Sequence, residues 1–389
     1  MDVLYLSSLC SVKEYGRMFE KYGSTSSHAS QKFNRLMVQG LVENGFSVDA
    51  LTQRIFLNPD KDDLTHEPER ENDISYHYIP QIKNRKMNRL FVIIQAFRYI
   101  LRWAKTHRDG IVICDIILGE LSLALMAASK MKRIRTTAIV TDVPSIRAGE
   151  KRTGLRALPI KIKNGVIKSY DSYIFLTEQM NKLLNVKKKP YVIIEGFADS
   201  NVLKEPNTIE NKHPEKVIMM AGLLESIFGV DALLEAFQQI HCSDAILKFY
   251  GKGSSVSAIE DAALKDKRIF YCGELMNNKI VEEEKKATML INPRPAIGEW
   301  TAFSFPSKNM EYMASGTPLV AYDLPCIPEP YRRYFFAIDD LGQTLEVLLG
   351  MDREKLHQFG LEAQKWIVNE KSPRRQLEKY ASLMKRAVF

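Results

Sequence analysis

Short apolar runs alternate with helix-length amphipathic stretches along nearly the whole of this chain, and the alternation stops once and then restarts. The first series opens with VLYLSSL at 3–9, then a polar loop, a helix from about Ser30 to Asn44 stopped by Gly45, and a strand at Phe46–Leu51. GIVICDII at 110–117, a helix at Leu121–Met131, TTAIVTD at 136–142 and strands at Ser172–Leu176 and Tyr191–Ile194 follow. Asp199 to Glu215 is polar and weakly patterned, and reads as a linker. Beyond it come KVIMMAG at 216–222, a helix near Asp231–Ile240, AILKFYG at 245–251, a helix at Ser257–Lys265, RIFYCG at 268–273, a helix at Asn278–Ala287, TMLINPR at 288–294 and PLVAYD at 318–323. Strands separated by helices predict a parallel α/β sheet, here built twice. A chain of 389 residues with 45% apolar composition is too long for one core and fits two domains of roughly 200 residues each. We expect domains at 1–198 and 199–389, the second including the linker and the charged helical stretch from about Thr344, which is expected to pack along its outside. Doubly wound sheets of this kind bind ligands in the crevice at their strand carboxyl ends.

The five cysteines are scattered, odd in number and without a C-x-x-C pair, which argues against a disulfide framework or a zinc site and for a reducing, cytoplasmic setting. The chain opens MDVLYL without a basic n-region, and no apolar run reaches the ~18 residues of a membrane span. Net charge is +8, and its distribution is uneven: residues 1–198 hold 31 Lys and Arg against 20 Asp and Glu, residues 199–389 hold 24 against 27. Within the basic half, 83–105 is an aromatic-rich basic helix and 147–168 adds Lys151, Arg152, Arg156, Lys161 and Lys163. Both segments could meet an anionic membrane surface at the inner face of the plasma membrane. The alternative is that Phe91, Ile94, Phe97, Ile100 and Leu101 are core positions and the charges solvate the outer face. No nucleic-acid module accompanies the charge, so nucleic acid is not an expected partner.

FSFPSKNMEYMASGTP at 303–318 is the most chemically informative stretch. At 100° per residue, Ser304, Lys308 and Glu311 lie on one helical stripe, with Pro306 in the first turn and Gly316 as the stop. A hydroxyl, an ammonium and unpaired N–H groups at a helix start together suit a phosphate, and Glu311 one turn on suits vicinal hydroxyls. A surface helix with an i,i+3 ion pair would read the same way. Other loops at strand ends are Gly222-Leu223-Leu224-Glu225, Gly251-Lys252-Gly253-Ser254, Cys272-Gly273-Glu274-Leu275 and Arg294-Pro295, whose shared edge would hold a nucleotide. In the first half, Gly23 and Ser24 open a loop before a helix and can present N–H groups to phosphate or sugar oxygens. Asp115 and Asp142 each follow an apolar strand, where a carboxylate is expected to be solvated in a cleft rather than buried. The loop after the first strand lacks G-x-G-x-x-G and no G-x-x-x-x-G-K-[ST] occurs, which disfavours a dehydrogenase or P-loop chemistry.

The ordered series Gly222-Leu223-Leu224, Gly229-Val230-Asp231-Ala232-Leu233-Leu234-Glu235-Ala236-Phe237, Gly251-Lys252-Gly253, Tyr271-Cys272-Gly273-Glu274-Leu275 and Glu311-Tyr312-Met313-Ala314-Ser315-Gly316-Thr317-Pro318-Leu319 resembles the retaining glycosyltransferases of family 4. The likeness is strongest from Lys216 to Tyr322, and S-F-P-S-K before E-Y-M-A-S-G looks like one branch of that family. It implies an α/β fold of the GT-B type, two doubly wound Rossmann-like domains facing a central cleft. The first domain would take the acceptor and the second the nucleotide-sugar donor. Departures are specific. The family's diphosphate-contacting Arg or Lys corresponds to Leu223, the Lys after it to Phe228, and the first Glu of the family pair to Phe303. Lys308, with Arg294 as a second cation, is expected to compensate; Glu311 matches the family's ribose-binding Glu.

The resemblance implies a metal-independent retaining glycosyltransferase with no resident cofactor and no metal site, using a nucleotide-diphosphate sugar, a UDP-sugar being favoured, as co-substrate. Expected partners are that donor and a lipid-linked or oligosaccharide acceptor in surface polysaccharide biosynthesis. Expected catalytic residues are Lys308, Asp142 and Glu299. Expected donor contacts are Gly222, Gly251, Lys252, Gly253, Gly273, Leu275, Arg294, Ser304, Ser307, Lys308 and Glu311, and expected acceptor contacts Gly23, Ser24 and Asp115. A nucleotide-sugar 2-epimerase on the same fold, or a non-catalytic partner subunit, fits the same residues.

Overall fold

The computed structural model describes residues 1–22, 28–55, 63–143, 146 and 158–386. The chain divides into Met1–Phe197 with Pro373–Phe389, and Ala198–Ser372. In the first unit β1 (Asp2–Ser7), β2 (Ser47–Thr52), β3 (Glu69–Glu71), β4 (Ile74–Tyr78), β5 (Ile111–Asp115), β6 (Arg135–Val140), β7 (Ser172–Phe175) and β8 (Tyr191–Ile193) form one sheet in the order β3-β4-β2-β1-β5-β6-β7-β8. Every pairing is parallel except β3 with β4. The reversal of strand order beside β1 makes this a doubly wound sheet, with connections through α1 (Val12–Tyr22), α2 (His28–Glu43), α3 (Arg85–Thr106), α4 (Gly119–Met131), α5 (Leu158–Ile167) and α6 (Glu178–Leu184). Strand burial explains the continuous apolar runs: Val3, Leu4, Tyr5 and Leu6 are all 0% exposed, as expected where helices cover both faces.

The second unit repeats the plan with β9 (Lys216–Leu223), β10 (Ala245–Lys252), β11 (Ile269–Tyr271), β12 (Met289–Asn292), β13 (Leu319–Ala321) and β14 (Phe336–Ala337) in the order β11-β10-β9-β12-β13-β14, all parallel. Its helices are α7 (Val230–Gln238), α8 (Val256–Lys265), α9 (Asn277–Lys286), α10 (Ser307–Ser315), α11 (Leu341–Leu349) and α12 (Arg353–Glu370). The stretch read as a linker packs into this unit. Asn207 donates to the Ser315 carbonyl at 2.9 Å, and the Lys212 ammonium to the Ala287 carbonyl and Thr317 Oγ1, both at 2.8 Å.

Three expectations change. The supposed polar loop after β1 contains helix α1, and β3 and β4 were not anticipated. The basic segment 83–105 is helix α3, but its buried face is Asn88, Val92, Ala96, Ile100 and Trp103, leaving Ile94 42% exposed. The last helix, α13 (Pro373–Arg386), packs on the first unit instead of the second. Leu377, Tyr380, Ala381 and Met384 join Met37, Leu41 and Phe46 in one core cluster. The Gln376 amide donates to Glu195 Oε2 and the Gly196 carbonyl, both at 3.0 Å, and the Tyr380 hydroxyl lies 2.7 Å from Thr137 Oγ1. Leu377→Ala should therefore destabilise the first unit by about 2–5 kcal/mol while leaving the second unchanged. Denaturant unfolding followed by hydrogen exchange in each unit checks this.

Candidate functional site

The carboxyl ends of β9 and β12 meet α10, and the end of β10 packs against β9 at Gly222. Pro306 occupies the position before the helix rather than its first turn, and no side chain caps that end. Ser304 therefore lies outside the helix, not on a stripe with Lys308 and Glu311. Three contacts fix α10 to the sheet. The Tyr312 hydroxyl donates to the Ala221 carbonyl at 2.9 Å and accepts from the Ala221 N–H at 2.7 Å, so it acts as a missing strand neighbour at the end of β9. Asn292, the last residue of β12, donates its amide to Asn309 Oδ1 at 2.6 Å.

This docking sets Lys308 over Gly222. A Cβ at Gly222, whose φ is +138°, would stand 3.4 Å from Lys308 Cε, so the lysine stem runs across the bare end of β9. Gly251 packs still closer: at φ +129° its missing Cβ would lie 1.9 Å from the Gly222 carbonyl oxygen, and only glycine fits. Gly251 N–H also donates to the Gly273 carbonyl at 2.9 Å, and the Tyr271 hydroxyl to the Gly251 carbonyl at 2.9 Å. The structure thus brings together Gly222, Gly251, Gly273, Lys308 and Glu311. Gly253 lies in the turn leading to α8, and Leu275, 44% exposed, follows Gly273.

Lys308 Nζ donates to Glu311 Oε1 at 2.8 Å. Burial works against its charge, but the carboxylates of Glu311 and of the fully buried Glu284 on α9 outweigh that cost and hold the ammonium above its ordinary value. A cation so held, beside the N–H groups of an uncapped helix start, offers donors of the kind that suit an anion, with a carboxylate one turn away.

Arg294 is placed differently from expectation. It is 6% exposed, donates to the Ser304 carbonyl at 3.1 Å and stacks its guanidinium 4.0 Å from the centre of the Trp300 ring, which Phe228 meets edge-on. Burial pulls its pKa down to about 10. Among the described residues it has no ion pair, and its Nε has no hydrogen-bond partner. Arg294 and Cys326, whose thiol lies 3.5 Å from the same carbonyl, brace the turn that carries Ser304 into α10.

The other candidates are less concentrated. Ser307 and Glu299 are exposed, at the start of α10 and on the 299–302 turn, and Lys252 pairs with Glu274 at 3.2 Å on the surface. Asp115 does not line a solvated cleft: it is 2% exposed, accepts from the Ile117 N–H at 3.1 Å and meets the Asn34 amide at 3.5 Å, and burial pushes its carboxyl up. It caps the turn after β5 from inside the first unit. Asp142 is exposed after β6, and Gly23 and Ser24 lie outside the described residues. Sequence reasoning missed Tyr312, Asn309, Glu284 and Trp300; only the position of Tyr312 beside Glu311 could have signalled the first.

Because the paired carboxylates raise its pKa, Lys308 contributes stability that is fully present below the ordinary lysine value of 10.5 and is lost as pH rises through the higher folded value. The difference in melting temperature between wild type and Lys308→Met should therefore be flat from neutral pH to 10.5 and shrink as pH rises from there toward the folded value.

Residues 215–345, about a third of the chain, match the family model described as glycosyl transferases group 1. No curated protein sequence is a significant match. Among solved structures, sucrose-phosphate synthase from Thermosynechococcus elongatus is similar over 100% of both chains at 14% identity and a TM-score of 0.69. HepE from Anabaena, solved with UDP, is similar over 100% of both chains at 11% identity and 0.62. WaaG, a glycosyltransferase involved in lipopolysaccharide biosynthesis, is similar over 100% of both chains at 13% identity and 0.61. The Lys308–Glu311 site lies within the matched segment, and the fold of the chain is that of the GT-B glycosyltransferases.

Proposed function

We propose that this protein is a retaining, metal-independent glycosyltransferase of the family 4 type that moves a sugar from a nucleotide-diphosphate donor, a UDP-sugar being favoured, to a lipid-linked or polysaccharide acceptor in surface polysaccharide biosynthesis. The observation that carries this reading is the Lys308 ammonium held over Gly222 at the open start of α10, with Glu311 beside it. The match of this segment to a glycosyltransferase family, and a similar fold solved with UDP, support it.

Transfer requires stabilising a departing diphosphate while the sugar carbon gains oxocarbenium character. Lys308 and the first N–H groups of α10 would take the diphosphate charge, and Glu311 would accept from the ribose hydroxyls. Arg294 would act from below as a positioning residue, since its guanidinium is spent on the Ser304 carbonyl and Trp300. Glu299 and Asp142, both exposed, remain the carboxylates proposed to face the sugar and the acceptor hydroxyl.

Lys308→Ala should weaken UDP about ten- to hundred-fold, the scale of one lost charge-assisted hydrogen bond, and leave uridine nearly untouched. Calorimetric titration of both ligands decides this, and equal losses would contradict the assignment.

The lipid-side part of the proposal rests on α3, where Met87, Leu90 and Ile94 are 63%, 61% and 42% exposed along one stripe, with Arg85, Lys86 and Arg89 around them. No described helix is long and apolar enough to cross a membrane. Vesicle sedimentation should show binding that needs anionic lipid and weakens with salt; binding indifferent to both would remove the membrane element.

A further inference from the structure

A cavity of about 560 Å³ opens in the first unit where α3 and α4 both end, beside the amino ends of β5 and β6. Doubly wound sheets take their substrates at the opposite, carboxyl edge. Four cations line the cavity, Lys105, Arg108, Lys132 and Arg133, and no carboxylate does. Among the described residues, none of the four has an ion pair or a side-chain hydrogen bond. Helix ends explain part of this, because a macrodipole favours a cation in the last turn, where Lys105 sits, and at the cap, where Lys132 sits. Arg108 and Arg133 stand past both helices, in the connections that lead to β5 and β6. Four like charges around one concavity repel one another, and an anion shared among them removes that cost.

The walls are held from beneath. The Trp103 indole donates to Asp49 Oδ2 at 2.7 Å, and the His107 ring stacks on it at 4.4 Å with Nδ1 2.9 Å from the Trp103 carbonyl. A Cβ at Gly110 would stand 2.4 Å from the indole, so the turn closes directly on the ring. The Gly110 N–H donates to the His107 carbonyl at 3.0 Å, and Arg135 to the Asp109 carbonyl. Asp109 itself is exposed and does not line the cavity. The floor is thus planar and preformed, the rim cationic, and the volume that of a small-molecule site. This combination suits a compact phosphorylated ligand, its phosphate among the guanidinium and ammonium groups and its carbon skeleton against the Trp103–His107 pair.

We propose that this cavity binds a small phosphorylated molecule, at a site in the first unit distinct from the Lys308 site in the second and independent of the glycosyltransferase reading.

The test titrates pyrophosphate and glucose 6-phosphate calorimetrically into the full chain carrying Lys308→Ala, which removes the other cation placed to take such anions. Sulfate is the simple-anion comparison, and vesicles containing phosphatidylglycerol are the lipid one. Both phosphorylated probes should bind more tightly than sulfate, and Arg108→Ala or Arg133→Ala added to that background should each weaken them about ten-fold. Both arginines are exposed, so neither change disturbs the core, and Arg98→Ala, which removes an exposed cation of α3 outside the cavity, should change nothing. No binding by either probe, affinity no better than that of sulfate, equal losses in the Arg98 variant, or an effect of the two arginines on vesicle binding alone would overturn the proposal. UDP affinity of the chain with Lys308 intact reports on the donor reading separately: its absence would sink that reading and leave the cavity standing.

Discussion

The second unit's chemistry depends on one phenol. Tyr312 bonds both the N–H and the carbonyl of Ala221, the residue before Gly222 near the end of β9. Buried at 1% exposure, it satisfies its own hydroxyl and both peptide groups of Ala221. The orientation of α10 follows, and with it the line of Lys308 across Gly222. The Asn292–Asn309 pair holds the start of this nine-residue helix, and the Asn207 amide on the Ser315 carbonyl and the Gln364 amide on the Ala314 carbonyl at 2.8 Å hold its end. The same phenol lies under the Lys308 ammonium, 5.7 Å from ring centre to nitrogen, and adds to the field that keeps it charged.

Of the positions read as departures from the resemblance, Phe228 joins a stack with an aromatic ring and a cation. Leu223, where the resemblance led to the expectation of a cation, is 52% exposed. Phe228, at the next cation position, packs edge-on against Trp300, and Trp300 stacks with Arg294. Arg294 lies beneath the turn into α10 and Lys308 on the helix itself. Arg suits the buried place because its planar guanidinium can lie on a ring and still donate in its own plane, whereas an ammonium would need a carboxylate or water there.

Strand identity was legible because parallel strands buried on both faces leave continuous apolar runs, as at VLYL and KVIMMAG. Helix α1 was not, since Gly16 and five charged residues stand among the Tyr15, Met18, Phe19 and Tyr22 stripe. Strand β3 reads ERE, and its carboxylates are held by partners distant in sequence: Glu69 by Tyr78 and Ser11, Glu71 by the N–H of Val12. For the site, spacing found Lys308, Glu311 and the glycines. It misplaced Arg294 and Asp115, because a charged side chain at a strand end reads identically whether it faces a ligand or turns back to hold a carbonyl or an N–H. The same blindness hid the Arg54–Glu14 ion pair, whose members are far apart in sequence and meet only in the folded first unit.

Helix α13 gives the first unit two pieces of chain, one at each end of the sequence, whereas the second is a single uninterrupted run. On a ribosome, where domains ordinarily finish in order from the N-terminus, this reverses the schedule. The second unit has all its residues while the earlier sheet still lacks the helix that covers Met37, Leu41 and Phe46. Until α13 has been made, that apolar face stays open to chaperones, and a truncation ahead of α13 would leave it open for good.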